Sequence, residues 1–343
     1  EVIARAQADL PYRTAEQQQA VAAIHKVVTG HRRRPLVLTA HRGRGKSSAL
    51  GIAAALLVQQ GKTDILLTGP SPVAVQTVFF IAATLLNQSY HPGQNQLLNG
   101  IIRFVPVDVL LSAKQQNTVI LVDEAAAIPT PQLQQLTDLY SRLVFATTEH
   151  GYEGTGRGFQ LRFQSYLQQQ CPGFQKLHLH QPIRYQASDP LEQLIFKGFL
   201  LEQTDSVITE IQQPQLISYL VKDLLLFPQK LQQIFSLLSL AHYQTDVIDL
   251  WALLDNPALK LYTLEQDQQV IGCALISVEG ELDTTLASAV AHGKRRVQGH
   301  LLAQSLAYHC LQPELATEKM ARIQRIVVHP LVQSQGLGNQ LLS

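Results

Sequence analysis

Apolar and polar positions along this chain switch between two periods. Residues 14–28, TAEQQQAVAAIHKVV, place apolar side chains every three or four positions, which predicts an amphipathic helix. Thr14 is its expected N-cap, with Gln17 at the third helical position as in a capping box. Short apolar runs follow at Leu36–Thr39, Asp64–Thr68, Ile101–Val105, Val107–Leu111, Thr118–Val122 and Arg142–Ala146. Helical stretches separate the first of them, one Ala/Leu-rich and ending near Gln60, another over residues 73–86. Strand alternating with helix predicts a doubly wound parallel sheet covered on both faces. From about Pro190 to Leu254 the spacing of three and four dominates in PLEQLIFKGFLL, PQLISYLVKDLLLF and KLQQIFSLLSLAHY, so a helical connector is expected there. Beyond it, Leu259–Thr263 and Val270–Val278 read as strands, Leu301–Cys310 as a helix, and a last apolar strand ends in His329-Pro330.

Composition narrows the class. The chain has 343 residues with 46% hydrophobic and 15% charged, which is core-forming and fits two domains. We place them at 1–190 and 191–343, with a helical lead-in over about 191–255. The net charge of +1 creates no global field, so any nucleic-acid contact must come from local patches. Cys171, Cys273 and Cys310 lack metal-ligand spacing. No apolar run is long enough for a membrane span. A cytoplasmic protein without membrane attachment, acting as a monomer, is the expectation.

Three stretches carry chemistry. In LVLTAHRGRGKSSAL, a strand meets a loop with Gly43 and Gly45, then Lys46, Ser47 and Ser48, then a helix. Backbone N–H groups at such a turn bind phosphate, a lysine reaches the β- and γ-phosphates, and a hydroxyl holds Mg2+. Ala40 stands where the usual pattern has glycine. The strand in TVILVDEAAAIP ends in Asp123-Glu124, at the end of a parallel strand where ligands bind. Asp123 is the expected Mg2+ holder with Ser47, and Glu124 the group that orients or deprotonates water. Gln17 or Gln18 could read an adenine edge. Thr147-Thr148 leads into GYEGTGRGF, where Arg157 is a candidate γ-phosphate contact, with Arg184 a weaker one. The third stretch is RIVVHPLVQSQGLG, a strand followed by a glycine turn opening a helix, a second anion-binding design. Lys294, Arg295 and Arg296, with Arg322 and Arg325, form a basic cluster that could meet an RNA backbone. No aromatic residue interleaves among them to stack a base.

Together, GRGKSSA, VDEAAAIP, GYEGTGRG and RIVVHPLVQSQGLG resemble the tRNA(Met) cytidine acetyltransferase family, a helicase-like ATPase fused to a GNAT acetyltransferase. The resemblance implies a RecA-like P-loop sheet followed by a GNAT α/β domain, here incomplete at its C-terminal end. It implies N4-acetylcytidine formation at the wobble position of elongator tRNA(Met), with acetyl-CoA as donor and ATP or GTP hydrolysis alongside. By motif position, nucleotide contacts fall on Gln17, Gln18, Ala40, His41, Arg42, Gly43, Arg44, Gly45, Lys46, Ser47, Ser48, Ala49 and Arg157. Lys46, Asp123 and Glu124 would carry hydrolysis. Acetyl-CoA contacts fall on Ile326, Val327, Val328, Gln333, Ser334, Gln335, Gly336, Leu337, Gly338 and Asn339. Family members carry a further N-terminal domain, and more transferase strands and an RNA-binding tail would follow Ser343. The acetyl-transfer base is therefore unassigned. Competing readings are an RNA helicase without transfer activity, a protein lysine acetyltransferase with a regulatory nucleotide site, and a non-hydrolysing nucleotide switch.

Overall fold

The computed structural model describes residues 11–112, 118–148, 159, 163–201, 212–241 and 247–342. They form two compact units that divide between Lys197 and Gly198.

The first unit is built on a seven-stranded sheet. Its strands are β1 (Leu36–Ala40), β2 (Ile65–Thr68), β3 (Gln96–Leu97), β4 (Ile102–Phe104), β5 (Val119–Val122), β6 (Leu143–Thr148) and β7 (Gln175–Leu179), in spatial order β3-β4-β2-β5-β6-β1-β7. All neighbours are parallel except β3 and β4. Period-two alternation divides each central strand between two cores. Leu36, Leu38, Leu67, Leu121 and Val144 face one, beneath helices α1 (Ala15–Thr29), α2 (Lys46–Gln59) and α3 (Gln76–Leu85). Val37, Leu66, Ile120, Val122 and Phe145 face the other, beneath α4 (Val107–Ser112), α5 (Thr130–Leu139) and α6 (Gln164–Gln170). Burial on both faces explains why these strands read as unbroken apolar runs.

Two local expectations change. Thr14 does cap α1, its hydroxyl accepting from the Gln17 N–H at 3.0 Å. The Gln17 side chain, however, accepts from the Arg13 N–H at 2.8 Å, so the capping box is not closed. Of the two apolar runs flanking Pro106, only the first is a strand. Proline has no N–H for a sheet ladder, and the Pro106 carbonyl instead accepts from the Leu110 N–H within the first turn of α4.

The second unit contains an antiparallel sheet, β11 (Lys319–Val328), β10 (Gln269–Gly280), β9 (Leu259–Gln266) and β8 (Gln215–Leu220), in that order. Helix α7 (Pro190–Gly198) reaches the division at its last residue, and α8 (Pro228–Ala241) and α9 (Val247–Asp255) are helical as the spacing predicts. The reading of PQLISYLVKDLLLF as helix is overturned: Gln215–Leu220 is a strand paired with Lys260–Glu265. Only Ile217 and Tyr219 point inward from it, a period of two that a six-residue Leu/Ile/Tyr run does not reveal. Leu231, Ile234 and Leu238 of α8 pack on one face of the sheet, against Leu261, Cys273, Leu275 and Val327. Helix α13 (Leu337–Leu342) covers part of the other, setting Leu337 and Leu341 against Leu264, Ile271 and Ala274. Between β10 and β11 the chain forms α10 (Thr284–Ala291), α11 (Leu301–Cys310) and α12 (Glu314–Thr317) around a small alanine-rich core. Among the described residues no helix is long and apolar enough to cross a membrane. Cys171 and Cys273 are buried free thiols and Cys310 an exposed one.

Candidate functional site

The first candidate site lies where β1, β5 and β6 end. Strand β1 closes with Ala40 in extended backbone, a conformation open to any L-residue, so the glycine of the usual pattern is not required there. The glycines that matter are Gly43 (φ +82°) and Gly45 (φ +85°), both left-handed. Gly45 caps α2, and a methyl group on it would stand 2.5 Å from the Ile183 side chain and 2.8 Å from Gln17 Nε2. A larger residue at position 45 would have to displace the ends of both side chains and hold a left-handed backbone, which glycine alone adopts without cost.

Side chains converge on this loop from three directions. Lys46 is buried, its ammonium donating to the Ala40 carbonyl at 3.3 Å and to Thr148 Oγ1 at 3.0 Å. Thr148 Oγ1 in turn donates to Glu124 Oε2 at 3.3 Å, so Lys46, Thr148 and Glu124 form one chain linking the start of α2, the end of β6 and the turn after β5. Thr147 turns the other way and accepts from the Ala126 N–H at 3.2 Å. Glu124 holds φ +49° and ψ +46°, a left-handed conformation that costs a non-glycine residue about 1–2 kcal/mol. Strain of this kind collects at functional sites.

Asp123 is wholly buried. Its Oδ1 accepts from the Glu124 N–H at 3.0 Å, while Oδ2 is buried with no hydrogen-bond partner. Burial, followed by repulsion from Glu124, pushes its pKa up to about 7, against the opposing pull of a hydrogen bond from Ser47 and the charge of Lys46. A buried carboxylate oxygen without a donor, beside a serine hydroxyl at a helix start, fits a divalent cation. Mg2+ is commonly held by one or two protein oxygens, with waters and phosphate completing its shell. Among the described residues there is no group of three or more His, Cys, Asp or Glu that could cage a metal alone.

The other expected nucleotide contacts separate. Gln17 is buried, and its Nε2 donates to the Gly45 carbonyl at 3.3 Å, whereas Gln18 is exposed. His41 packs edge-on against Phe196 and His178. The Ile183 and Arg184 N–H groups both donate to the Gly43 carbonyl, at 3.0 and 3.1 Å, which brings Arg184 to the loop. Arg157 and its flanking glycines lie outside the described residues. One partner escaped the sequence reading altogether. Arg44 is buried in a two-point ion pair with Glu192 of α7, at 2.8 and 3.0 Å, and nothing in the spacing of the two residues announces it.

The second candidate site is at the end of β11. Ile326, Val327 and Val328 pair with Ala274, Cys273 and Gly272 on one side only. Among the described residues no strand lies on the other side of β11. Val327 points into the core while Ile326 is 37% exposed. Two residues before this segment the β10–β11 register shifts between Leu275 and Ile276, leaving Gln324 as an extra residue, a β-bulge of the kind often found beside active sites. After His329, Gln333 Nε2 donates back to the Val328 carbonyl at 3.1 Å. Ser334 (φ +64°) and Gly336 (φ +80°) then turn the chain into α13. Nothing lies within 4 Å of a methyl group placed on Gly336 or Gly338. Open space over a glycine turn at the start of a helix fits the entry of an anion such as a pyrophosphate.

A parallel sheet with a glycine loop and a paired Asp-Glu, joined to an antiparallel sheet with an open edge and a second glycine turn, defines a two-module class: helicase-type domain plus acetyltransferase domain. Residues 37–202 match the family described as RNA cytidine acetyltransferase NAT10/TcmA, helicase domain, and residues 233–343 match GNAT acetyltransferase 2. The chain is 46% identical over 341 residues to the tRNA(Met) cytidine acetyltransferase TmcA of Nitrosococcus halophilus, an alignment covering 97% of this chain and 46% of that protein. It is 45% identical over 332 residues to the Vibrio cholerae protein of the same name, covering 96% and 47%. For the Haloarcula marismortui protein of that name the figures are 36% over 345 residues, 96% and 44%. The chain belongs to the tRNA(Met) cytidine acetyltransferase family, and it spans about half the length of the curated relatives it matches.

Proposed function

We propose that this chain carries the nucleotide-hydrolysing and acetyl-CoA-binding modules of a cytoplasmic RNA acetyltransferase, one that forms N4-acetylcytidine at the wobble position of elongator tRNA(Met). The observation that carries the reading is the presence, in one chain, of two separate glycine turns, each leading from a strand end into a helix, the first of them beside the Lys46–Thr148–Glu124 chain and Asp123.

In this reading the first unit is RecA-like and its glycine loop is a P-loop for ATP or GTP. The N–H groups of residues 40–49 cradle phosphate, and Gln17 holds the loop in shape through the Gly45 carbonyl. Mg2+ held by Ser47 and Asp123 supplies charge neutralisation at the transferring phosphoryl group. Lys46 exchanges Thr148 for phosphate oxygens, which leaves Thr148 on Glu124, the residue that orients the attacking water. Gln18 faces solvent and is the freer of the two glutamines to meet a base. In the second unit, the open edge of Ile326–Val328 pairs with the amides of the acetyl-CoA arm, and residues 333–339 receive its pyrophosphate. The N4 of cytosine is a weak nucleophile, so accurate placement of thioester and base supplies much of the acceleration. Unstacking that base from an anticodon loop costs roughly a few kcal/mol, a natural task for the nucleotide-driven module.

Incubation with bulk tRNA, acetyl-CoA and ATP, followed by nucleoside mass analysis, tests the proposal. Wild type yields N4-acetylcytidine. Lys46→Ala abolishes hydrolysis but still binds acetyl-CoA. Gly336→Glu, which puts a bulky anion at φ +80°, loses acetyl-CoA and keeps hydrolysis. Acetyl label on protein and none on tRNA would overturn the proposal in favour of a lysine acetyltransferase; absence of acetyl-CoA binding in wild type would favour a helicase alone.

A further inference from the structure

The helical insertion between β10 and β11 carries a charged surface that neither candidate site uses. Lys294, Arg295 and Arg296 are consecutive and exposed, and among the described residues no ion pair joins any of them to an acid. The two arginines that sequence reading grouped with them are taken up elsewhere. Arg322 pairs with the buried carboxylate of Glu279, and Arg325 with Asp249 at 2.7 Å. What remains is a compact triplet of cations in a protein of net charge +1.

The loop presenting them is fixed at both ends. Gln304 on α11 accepts from the Val297 N–H and donates to the Val297 carbonyl, each at 3.3 Å. Further along, His300 Nδ1 accepts from the Gly280 N–H at 3.0 Å, and Glu279 Oε2 accepts from the Leu302 N–H at 2.6 Å, pinning the start of α11 to the end of β10. At the near end Gly293 turns with φ +71°, and a methyl group there would stand 3.0 Å from the ring of Tyr308. Tyr308 is 51% exposed and touches the His309 ring edge-on. Folding thus brings an exposed aromatic ring against Gly293, the residue that leads into the three cations, from a helix twelve or more residues away in sequence.

Like charges held together on a rigid loop repel, and an external polyanion relieves that repulsion. Cations beside an exposed ring are the pairing that single-stranded nucleic acid needs, charge for phosphates and a flat face for a base. We propose that residues 293–296 and Tyr308 form a docking site for an unpaired segment of the RNA substrate, with the cations on phosphates and the Tyr308 ring stacked on a base. This rests on the reading of the protein as an RNA acetyltransferase.

The test measures binding of tRNA(Met) transcript to the protein as a function of salt. Replacing Lys294, Arg295 and Arg296 together by alanine makes the slope of log affinity against log salt shallower by about 2, since each single-strand phosphate contact contributes about 0.7. Tyr308→Leu, which keeps apolar packing on Gly293, weakens binding about tenfold with an unchanged slope, whereas Tyr308→Phe keeps wild-type affinity. Acetyl-CoA affinity and ATP hydrolysis without RNA stay at wild-type levels in all three, which also shows that they fold. Unchanged RNA affinity and slope in the triple variant overturns the docking site. So does a loss of acetyl-CoA affinity with RNA binding intact, because the cations then serve the 3′-phosphate of the coenzyme. Wild-type protein that binds no RNA at any salt would refute the acetyltransferase reading itself, a result distinguishable from failure of the patch.

Discussion

Arg44, inside the glycine loop, and Glu192, on the helix Pro190–Gly198, are locked together by two contacts of 2.8 and 3.0 Å with both side chains largely buried. A buried cation of this kind is stable only while its partner remains.

Glu192→Ala strands the Arg44 guanidinium and is expected to destabilise the first unit by about 3 kcal/mol. Replacing both residues by methionine restores most of that loss, because it removes the unpaired charge as well as the pair. Urea denaturation of the two variants checks the sign and the recovery.

Thr148 offers a sharper separation of structure from chemistry. Thr148→Val keeps the β-branched shape at the end of β6 but cuts both the Lys46 and Glu124 hydrogen bonds. Nucleotide affinity should stay within a few-fold of wild type, while kcat for hydrolysis falls about tenfold or more, in line with loss of one aligned polar contact. Equal loss in KM and kcat would show that Thr148 only shapes the binding pocket.

The left-handed backbone of Glu124 makes a paired comparison possible. Glycine adopts φ +49° without the Cβ clash, whereas alanine does not. Glu124→Gly should therefore be about 1 kcal/mol more stable than Glu124→Ala, although both abolish hydrolysis. Thermal melts read the difference.

Asp123 predicts a pH dependence. Its pKa is about 7 in the folded protein against an ordinary 3.8, so between those values the folded state binds more protons than the unfolded one. Its contribution is fully present below pH 4 and is lost as pH rises through 7, where the buried carboxylate must ionise. Without Mg2+, Asp123→Asn should therefore raise stability at pH 8, by at most about 4 kcal/mol, and change little at pH 4. Mg2+ with nucleotide should narrow the gap at pH 8. Melting curves of both proteins across pH 4–8, with EDTA and with Mg2+-nucleotide, decide it.

Much of the architecture was legible in the chain because backbone hydrogen bonding imposes short periods. Short apolar runs alternating with helical stretches marked the central parallel strands, and Leu301–Cys310 matched its helix residue for residue. The strand–glycine–lysine order and the Asp-Glu strand end imply that Lys46, Ser47 and Asp123 meet, since a parallel sheet sends all its strand ends to one edge. Where the local pattern was short, it misled. Gln215–Leu220 became a strand and Val107–Ser112 a helix, because partner strands and Pro106 outweighed intrinsic preference.

Only the tertiary structure decided which side chains meet across long stretches of sequence. It chose Gln17 over Gln18 as the residue touching the glycine loop, joined Arg44 to Glu192, and linked Lys46 to Glu124 through Thr148. It also withdrew Arg322 and Arg325 from the basic cluster and set Tyr308 there instead. Periodicity tells which face of an element is buried, but ion pairs and ring contacts depend on where two faces land. That is settled by packing and by the cost of leaving a buried charge without a partner.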